Sequence, residues 1–181
     1  MSEQNGITFG EMVDKLVKPG DAIIASLTPS KIDMLHMAVG ISGEVAELIT
    51  AIENADEANM LEEAGDIEFY FEGLRAYVTP TYVNDMQFAR NGIGDSLTTC
   101  AGEILDQVKK HVIYDSELNA DYLSDLMSEF RLHMTTLYTK TPFNRAVAIE
   151  ANMAKLLTGE KARFAEGVYT DKQAQDRADK A

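Results

Sequence analysis

The chain has 181 residues, 45% of them hydrophobic, which suits one domain with a real core. Its net charge of −14 argues against nucleic-acid binding, which takes a basic patch, and leaves any anionic substrate dependent on metal ions or a local cluster of Lys and Arg. A single cysteine, Cys100, excludes an intrachain disulfide framework; with no signal-like leader in MSEQNGITFGEMV and no apolar run near the roughly 18 residues of a membrane span, the expectation is a soluble, cytoplasmic protein without membrane contact.

The periodicity is helical nearly throughout and predicts an all-α bundle with short connections. A short helix is expected from about Thr8 to Val17, stopped by Pro19-Gly20, with another turn over Asp21 to Ser26. Ser30 is placed to cap a long helix to about Asn54, with Leu35, Ile41, Val45, Leu48 and Ile52 on its buried stripe. A second long helix is expected from about Glu57 to Val78, with Leu61, Ile67, Phe71 and Leu74 as its apolar face. Further helices are expected over Thr81 to Arg90, closed by Asn91-Gly92, over Asp95 to Tyr114 and over Asp121 to Tyr138. Thr141-Pro142 is placed to cap a helix to about Leu157, and Thr170-Asp171 to start a polar terminal one.

A weak internal repeat relates Gly43-Glu44-Val45-Ala46-Glu47-Leu48 to Gly102-Glu103-Ile104-Leu105-Asp106, each in a helical hairpin, over residues 31–78 and 94–138, with C-terminal helices in 142–181. The second hairpin has no clean Glu-x-x-Asp in its later helix, where Asp125 and Glu129 are four apart. Two chance-similar amphipathic hairpins would look the same.

The strongest chemical signal is two acid pairs, Glu44 with Glu47 and Glu63 with Asp66, each three apart and so on one helix face. Fifteen residues separate the pairs, enough for one helix to end, turn and bring an antiparallel helix back alongside. Four carboxylates facing one another are costly without a cation, and an all-oxygen ligand set suits Mg²⁺, with Mn²⁺ as a substitute. Gly43 and Gly65 each precede an acid inside a helical pattern, where glycine costs about 1 kcal/mol against alanine; a close helix approach or a ligand is expected there. The alternative is a solvated acidic face. Glu44, Glu47, Glu63 and Asp66 are accordingly the candidate metal ligands.

The stretch LHMAVGISGEVAELITAIENADEANMLEEAGDIEFY resembles the MazG-like branch of the all-α nucleoside triphosphate pyrophosphatases, a superfamily that includes dimeric dUTPases and dCTP pyrophosphatases. The resemblance rests on Gly-Glu-x-x-Glu followed by Glu-Glu-x-Gly-Asp and covers about 35 residues well. AGEILDQVKK is similar to a variant of the same first helix, and Asn152-Met153-Ala154-Lys155-Leu156 with Arg163-Phe164 to the closing stretch of phage-type members. Two departures stand out: Glu53-Asn54 replace the Lys-Lys common after the first acid helix, whereas the second copy keeps Lys109-Lys110 with an impaired acid set. The copies thus look complementary, and a homodimer or an intrachain pseudo-dimer with one working site both remain open.

The resemblance implies hydrolysis of an NTP or dNTP to the monophosphate and pyrophosphate, with Mg²⁺ held by the four acids and Glu47 orienting or deprotonating the water; Glu62 is the competing base. It points to Lys155 for a phosphate, Asn152 for sugar or base, and Lys109 and Arg163 as further phosphate ligands. Tyr70 and His36 fall on the faces of Asp66 and Glu44, as pocket or as core residues; Phe9 and Phe69 are expected in the core. A di-iron bundle is disfavoured because none of His36, His111 and His133 completes Glu-x-x-His, and no stretch fits an EF-hand. The non-enzymatic alternative is an inactive acidic helical module on the same fold that binds a basic partner.

Overall fold

The computed structural model describes residues 7–78 and 97–176. Among them there is no strand, and the helices are α1 (Phe9–Leu16), α2 (Gly20–Ile24), α3 (Pro29–Glu53), α4 (Glu57–Arg75), α5 (Leu97–Tyr114), α6 (Ala120–Tyr138), α7 (Arg145–Met153) and α8 (Asp171–Asp176), with a π-helical turn at Ala154–Thr158 after α7. The all-α expectation holds. The helix expected at Thr81 to Arg90, its Asn91-Gly92 stop and the Asp95 start lie outside the described residues.

Local chemistry sets the helix starts. Thr8 and Glu11 form a reciprocal capping box on α1. α3 is capped by Thr28, whose Oγ1 accepts from the Lys31 amide at 3.3 Å, and not by Ser30: Pro29 takes the first helical position, so the cap falls one residue before it. Asp56 caps α4 by accepting from the Asn59 amide at 3.1 Å, just after Ala55 reverses the chain at φ 52. α7 begins at Asn144, later than Thr141-Pro142, because the Thr141 hydroxyl donates to the Phe143 carbonyl instead and Asn144 Oδ1 accepts from Val147. It ends at Met153, where the π-helical turn takes over.

The core is built from helical spacing on four long helices. α3 buries Met34, Ala38, Ile41, Val45, Leu48 and Ala51; Ile52, expected on this stripe, is 39% exposed because the buried line drifts to Ala51, and Leu35 is half-buried. α4 answers with Ala64, Ile67, Phe71 and Leu74, α5 with Ile104, Val108 and Val112, and α6 with Leu123, Leu126, Phe130 and Met134. α3 packs between α4 and α5, α5 carries α6, and α6 closes on α4 through stacked Phe71 and Phe130, 5.7 Å apart. α3 is long and apolar enough to cross a bilayer by length and composition, a property the sequence reading did not anticipate, but its apolar stripe is buried in this bundle and two carboxylates sit mid-helix. α1 buries none of its residues, so Phe9, expected in the core, is 78% exposed.

α7 lies on α4 at a glycine. A Cβ on Gly65 would meet the Ala148 carbonyl oxygen at 2.7 Å and Asn152 Cβ at 2.9 Å, so this glycine exists for close approach. Gly43 has open space around its Cβ direction, and the expected close approach is absent there. Gly65→Ala should therefore destabilise by about 1–3 kcal/mol through forced displacement of α7, whereas Gly43→Ala should stabilise by about 0.5–1 kcal/mol through helix propensity. Urea unfolding of both variants checks the contrast.

A buried ion cluster fixes α6 and α7 to the far side of α4. Glu68, 3% exposed, accepts from Arg131 at 2.6 and 2.7 Å, from Arg145 Nε at 3.0 Å and from the Tyr138 hydroxyl at 3.0 Å. The Arg131 guanidinium also lies 4.1 Å over the Phe71 ring. Burial raises the Glu68 pKa, but the hydrogen bonds and charges of Arg131 and Arg145 outweigh it and hold the carboxyl below its ordinary range. Burial and the Glu68 charge push the Tyr138 phenol up. Because the folded-state Glu68 pKa is lowered, its stabilisation is complete above the unfolded carboxylate range and is lost as pH falls below about 4.5 through the folded value. Glu68→Gln, which leaves two guanidinium groups without their shared counter-charge, should cost about 3–5 kcal/mol at pH 7. Denaturant unfolding at pH 7 and pH 3 tests this, with the difference between wild type and variant shrinking at the lower pH.

Candidate metal centre

The α3–α4 hairpin does what the acid spacing requires. Glu44 of α3 and Glu63 and Asp66 of α4 bring one carboxylate oxygen each within 4.8 Å of one another. The fourth acid, Glu47, lines the same cleft but is exposed and stands outside this triad; one turn beyond Glu44, it lies at the rim. Three acids of the expected four thus form a group that can hold a metal ion.

The electrostatics of the triad are those of crowded like charges. Burial, then the charges of Asp66 and Glu47, raise the Glu44 pKa even though Glu63 donates a hydrogen bond to it. Burial, the hydrogen bond to Glu44 and the charges of Glu44, Glu47 and Asp66 push Glu63 up to about 8. Without a cation the pair shares a proton at neutral pH. The donor set is all oxygen and negatively charged, which fits a hard divalent cation.

Asp66 is held from α7 and the turn behind it. Asn152, buried, donates Nδ2 to Asp66 Oδ1 at 2.5 Å, and the Lys155 ammonium pairs with Asp66 Oδ2 and, at 3.3 Å, with Glu62. Both residues, expected at a substrate, contact Asp66 here and line a recess of about 210 Å³ with Ala58, Leu61, Glu62 and Ala151. Gly65 is what lets α7 come near enough for this.

The acids open into a cleft of about 510 Å³. One wall carries His36 and Tyr70, whose rings meet edge-on at 5.8 Å, and Phe69, edge-on to Tyr70 at 5.3 Å. Phe69, expected in the core, is 49% exposed because it lies off the buried line of Ile67, Phe71 and Leu74. Tyr70 lies over Gly40, where any Cβ would overlap its ring. The C-terminal segment adds Leu156, Arg163, Phe164 and Tyr169 to the lining. That segment is tied to the π-helical turn by the Arg163 amide to the Lys155 carbonyl at 3.0 Å and the Phe164 amide to the Leu156 carbonyl at 2.8 Å.

Lys109 is not brought to the site. It pairs with Asp106 at 2.5 Å, and Lys110 pairs with the same carboxylate at 2.6 Å, so the second hairpin spends its bases on its own acid. Among the described residues, Arg163 lines the cleft and Lys155 pairs with Asp66, both from the C-terminal segment. Glu62 borders both the cleft and the recess, and Phe164 and Tyr169 join the lining, which the sequence did not indicate because no periodicity links these aromatics to residues about a hundred positions earlier. Comparisons of the chain with protein-family models, curated proteins and solved structures give no match.

Because the folded-state Glu63 pKa is raised, the cation-free protein should lose stability as pH rises from about 4.5 to about 8 and level off above. Glu63→Gln removes a charge from the crowd. It should raise the cation-free Tm at pH 8 and remove the Tm increase expected of the wild type with a divalent cation, as read by thermal unfolding with and without cation.

Proposed function

We propose that this chain is a Mg²⁺-dependent nucleoside triphosphate pyrophosphohydrolase, with Mn²⁺ as a substitute, that splits an NTP or dNTP into the monophosphate and pyrophosphate. The observation that carries the reading is the Glu44–Glu63–Asp66 triad at a cleft that also offers an arginine and aromatic rings. The cleft holds the kinds of group a nucleotide calls for: carboxylates for a cation, Arg163 for phosphate oxygens, and Tyr70, His36, Phe69 and Phe164 for a base.

Glu44, Glu63 and Asp66 are the residues that would hold the cation, which when bound offsets the charge on phosphate oxygens and lowers the pKa of a coordinated water. Glu47, exposed at the rim and outside the triad, is free of that duty and takes the proton of the attacking water. The water oxygen bonds to the α-phosphorus, the bond to the bridging oxygen breaks, and pyrophosphate leaves. Arg163 orients the phosphates. Asn152 keeps Asp66 aimed at the centre.

Product analysis over a panel of NTPs and dNTPs in Mg²⁺ tests this. Monophosphate and pyrophosphate should appear in equal amounts, with kcat reduced more than about 100-fold in Glu44→Gln and in Glu47→Gln. No turnover with any nucleotide would overturn the reading and favour an acidic module, which would bind basic proteins equally well with and without Glu44→Gln.

A further inference from the structure

The Lys155 ammonium puts positive charge on one of the three clustered acids. Its side chain is 13% exposed, and it pairs with Oδ2 of Asp66, a residue of the triad. The other Asp66 oxygen is taken by Asn152, so both are engaged before any cation arrives. A divalent cation that takes Asp66 as ligand would stand beside the Lys155 ammonium, where like charges repel, whereas the neutral Asn152 amide can keep its hydrogen bond. Asn152 is buried on α7 against Gly65 and has little freedom. Lys155 has both a second partner and room: Glu62 is 3.3 Å away, and the two share the 210 Å³ recess beside the cleft. It also stands in a π-helical turn, closed by the Gly159 amide to the Ala154 carbonyl at 2.9 Å, an element whose irregular register marks sites of function.

We propose that Lys155 is a built-in stand-in for the cation: in the cation-free protein its ammonium neutralises Asp66, and an incoming divalent cation displaces it into the recess, where Glu62 holds it. This rests on the metal-centre reading and adds a competition within it. The exchange would set cation affinity, since the cation and the Lys155 ammonium compete for the charge of Asp66. A flexible, compact ammonium can make that move. An arginine at the same position would grip Asp66 through two parallel hydrogen bonds and would not fit the recess as readily.

The test is Mn²⁺ affinity, measured by the free-ion electron paramagnetic resonance signal without nucleotide, for wild type, Lys155→Met and Lys155→Arg, with far-UV circular dichroism confirming the fold. Lys155→Met should bind Mn²⁺ about tenfold or more tightly than wild type, because the competing charge is gone. Lys155→Arg should bind about tenfold or more weakly. Tighter binding by the methionine variant with an unchanged arginine variant would show a simple field effect and overturn the displacement. Wild-type affinity in both would overturn it as well, leaving the metal centre intact. No Mn²⁺ binding by any of the three would remove the proposal together with the centre. Should Lys155→Met fail to fold, Lys155→Arg alone decides: affinity equal to wild type overturns the exchange.

Discussion

Repulsion between carboxylates is the constraint around which the molecule is arranged. The α3–α4 hairpin brings Glu44, Glu63 and Asp66 within 4.8 Å, with Glu47 close enough to raise the pKa of both glutamates. Nothing in a stable bundle requires this, and hydrophobic residues at the same positions would pack without penalty. The protein retains a destabilising cluster and surrounds it with devices that make it tolerable: a shared proton between Glu44 and Glu63, an ammonium on Asp66, and an amide holding the other Asp66 oxygen. Such a cluster is informative because stability alone would not keep it.

α4 carries two opposite electrostatic solutions on two of its faces. Asp66 points to the cleft, where charge is left in excess. Glu68, two residues on, points into the bundle, where Arg131, Arg145 and Tyr138 satisfy it fully. The second arrangement supports the first. Arg145 starts α7, and α7 carries Asn152 to Asp66; the same helix is seated at Gly65, one residue before Asp66. A strong structural ion cluster thus sets the position of the helix that holds one of the three clustered acids, and the π-helical turn after it delivers Lys155 and, through its carbonyls, Arg163 and Phe164.

The core and the triad were legible in the sequence because both depend on short-range periodicity. Apolar residues at three and four apart gave α3 to α6, and acids three apart, with a spacer that fits a turn, gave Glu44, Glu63 and Asp66. What escaped depends on tertiary contact. Glu68 reads as one more acid until Arg131 and Arg145 approach it from two other helices. Lys109 reads as a free base until Asp106 claims it. The contact of Lys155 and Asn152 with Asp66 was not legible, since it depends on the packing of α7 on Gly65. Caps failed where two candidates competed: Pro29 moved the start of α3 to Thr28, and the Thr141 hydroxyl turned to its own loop.

The central claim is that the Glu44–Glu63–Asp66 cluster is a divalent-cation centre. Anomalous diffraction at the manganese edge, from crystals grown with Mn²⁺, tests it most directly. A peak bonded to oxygens of Glu44, Glu63 and Asp66, at about 2.0–2.3 Å, is the predicted result. No peak there at saturating Mn²⁺, with the Glu44–Glu63 hydrogen bond and the Lys155–Asp66 pair both intact, would contradict it.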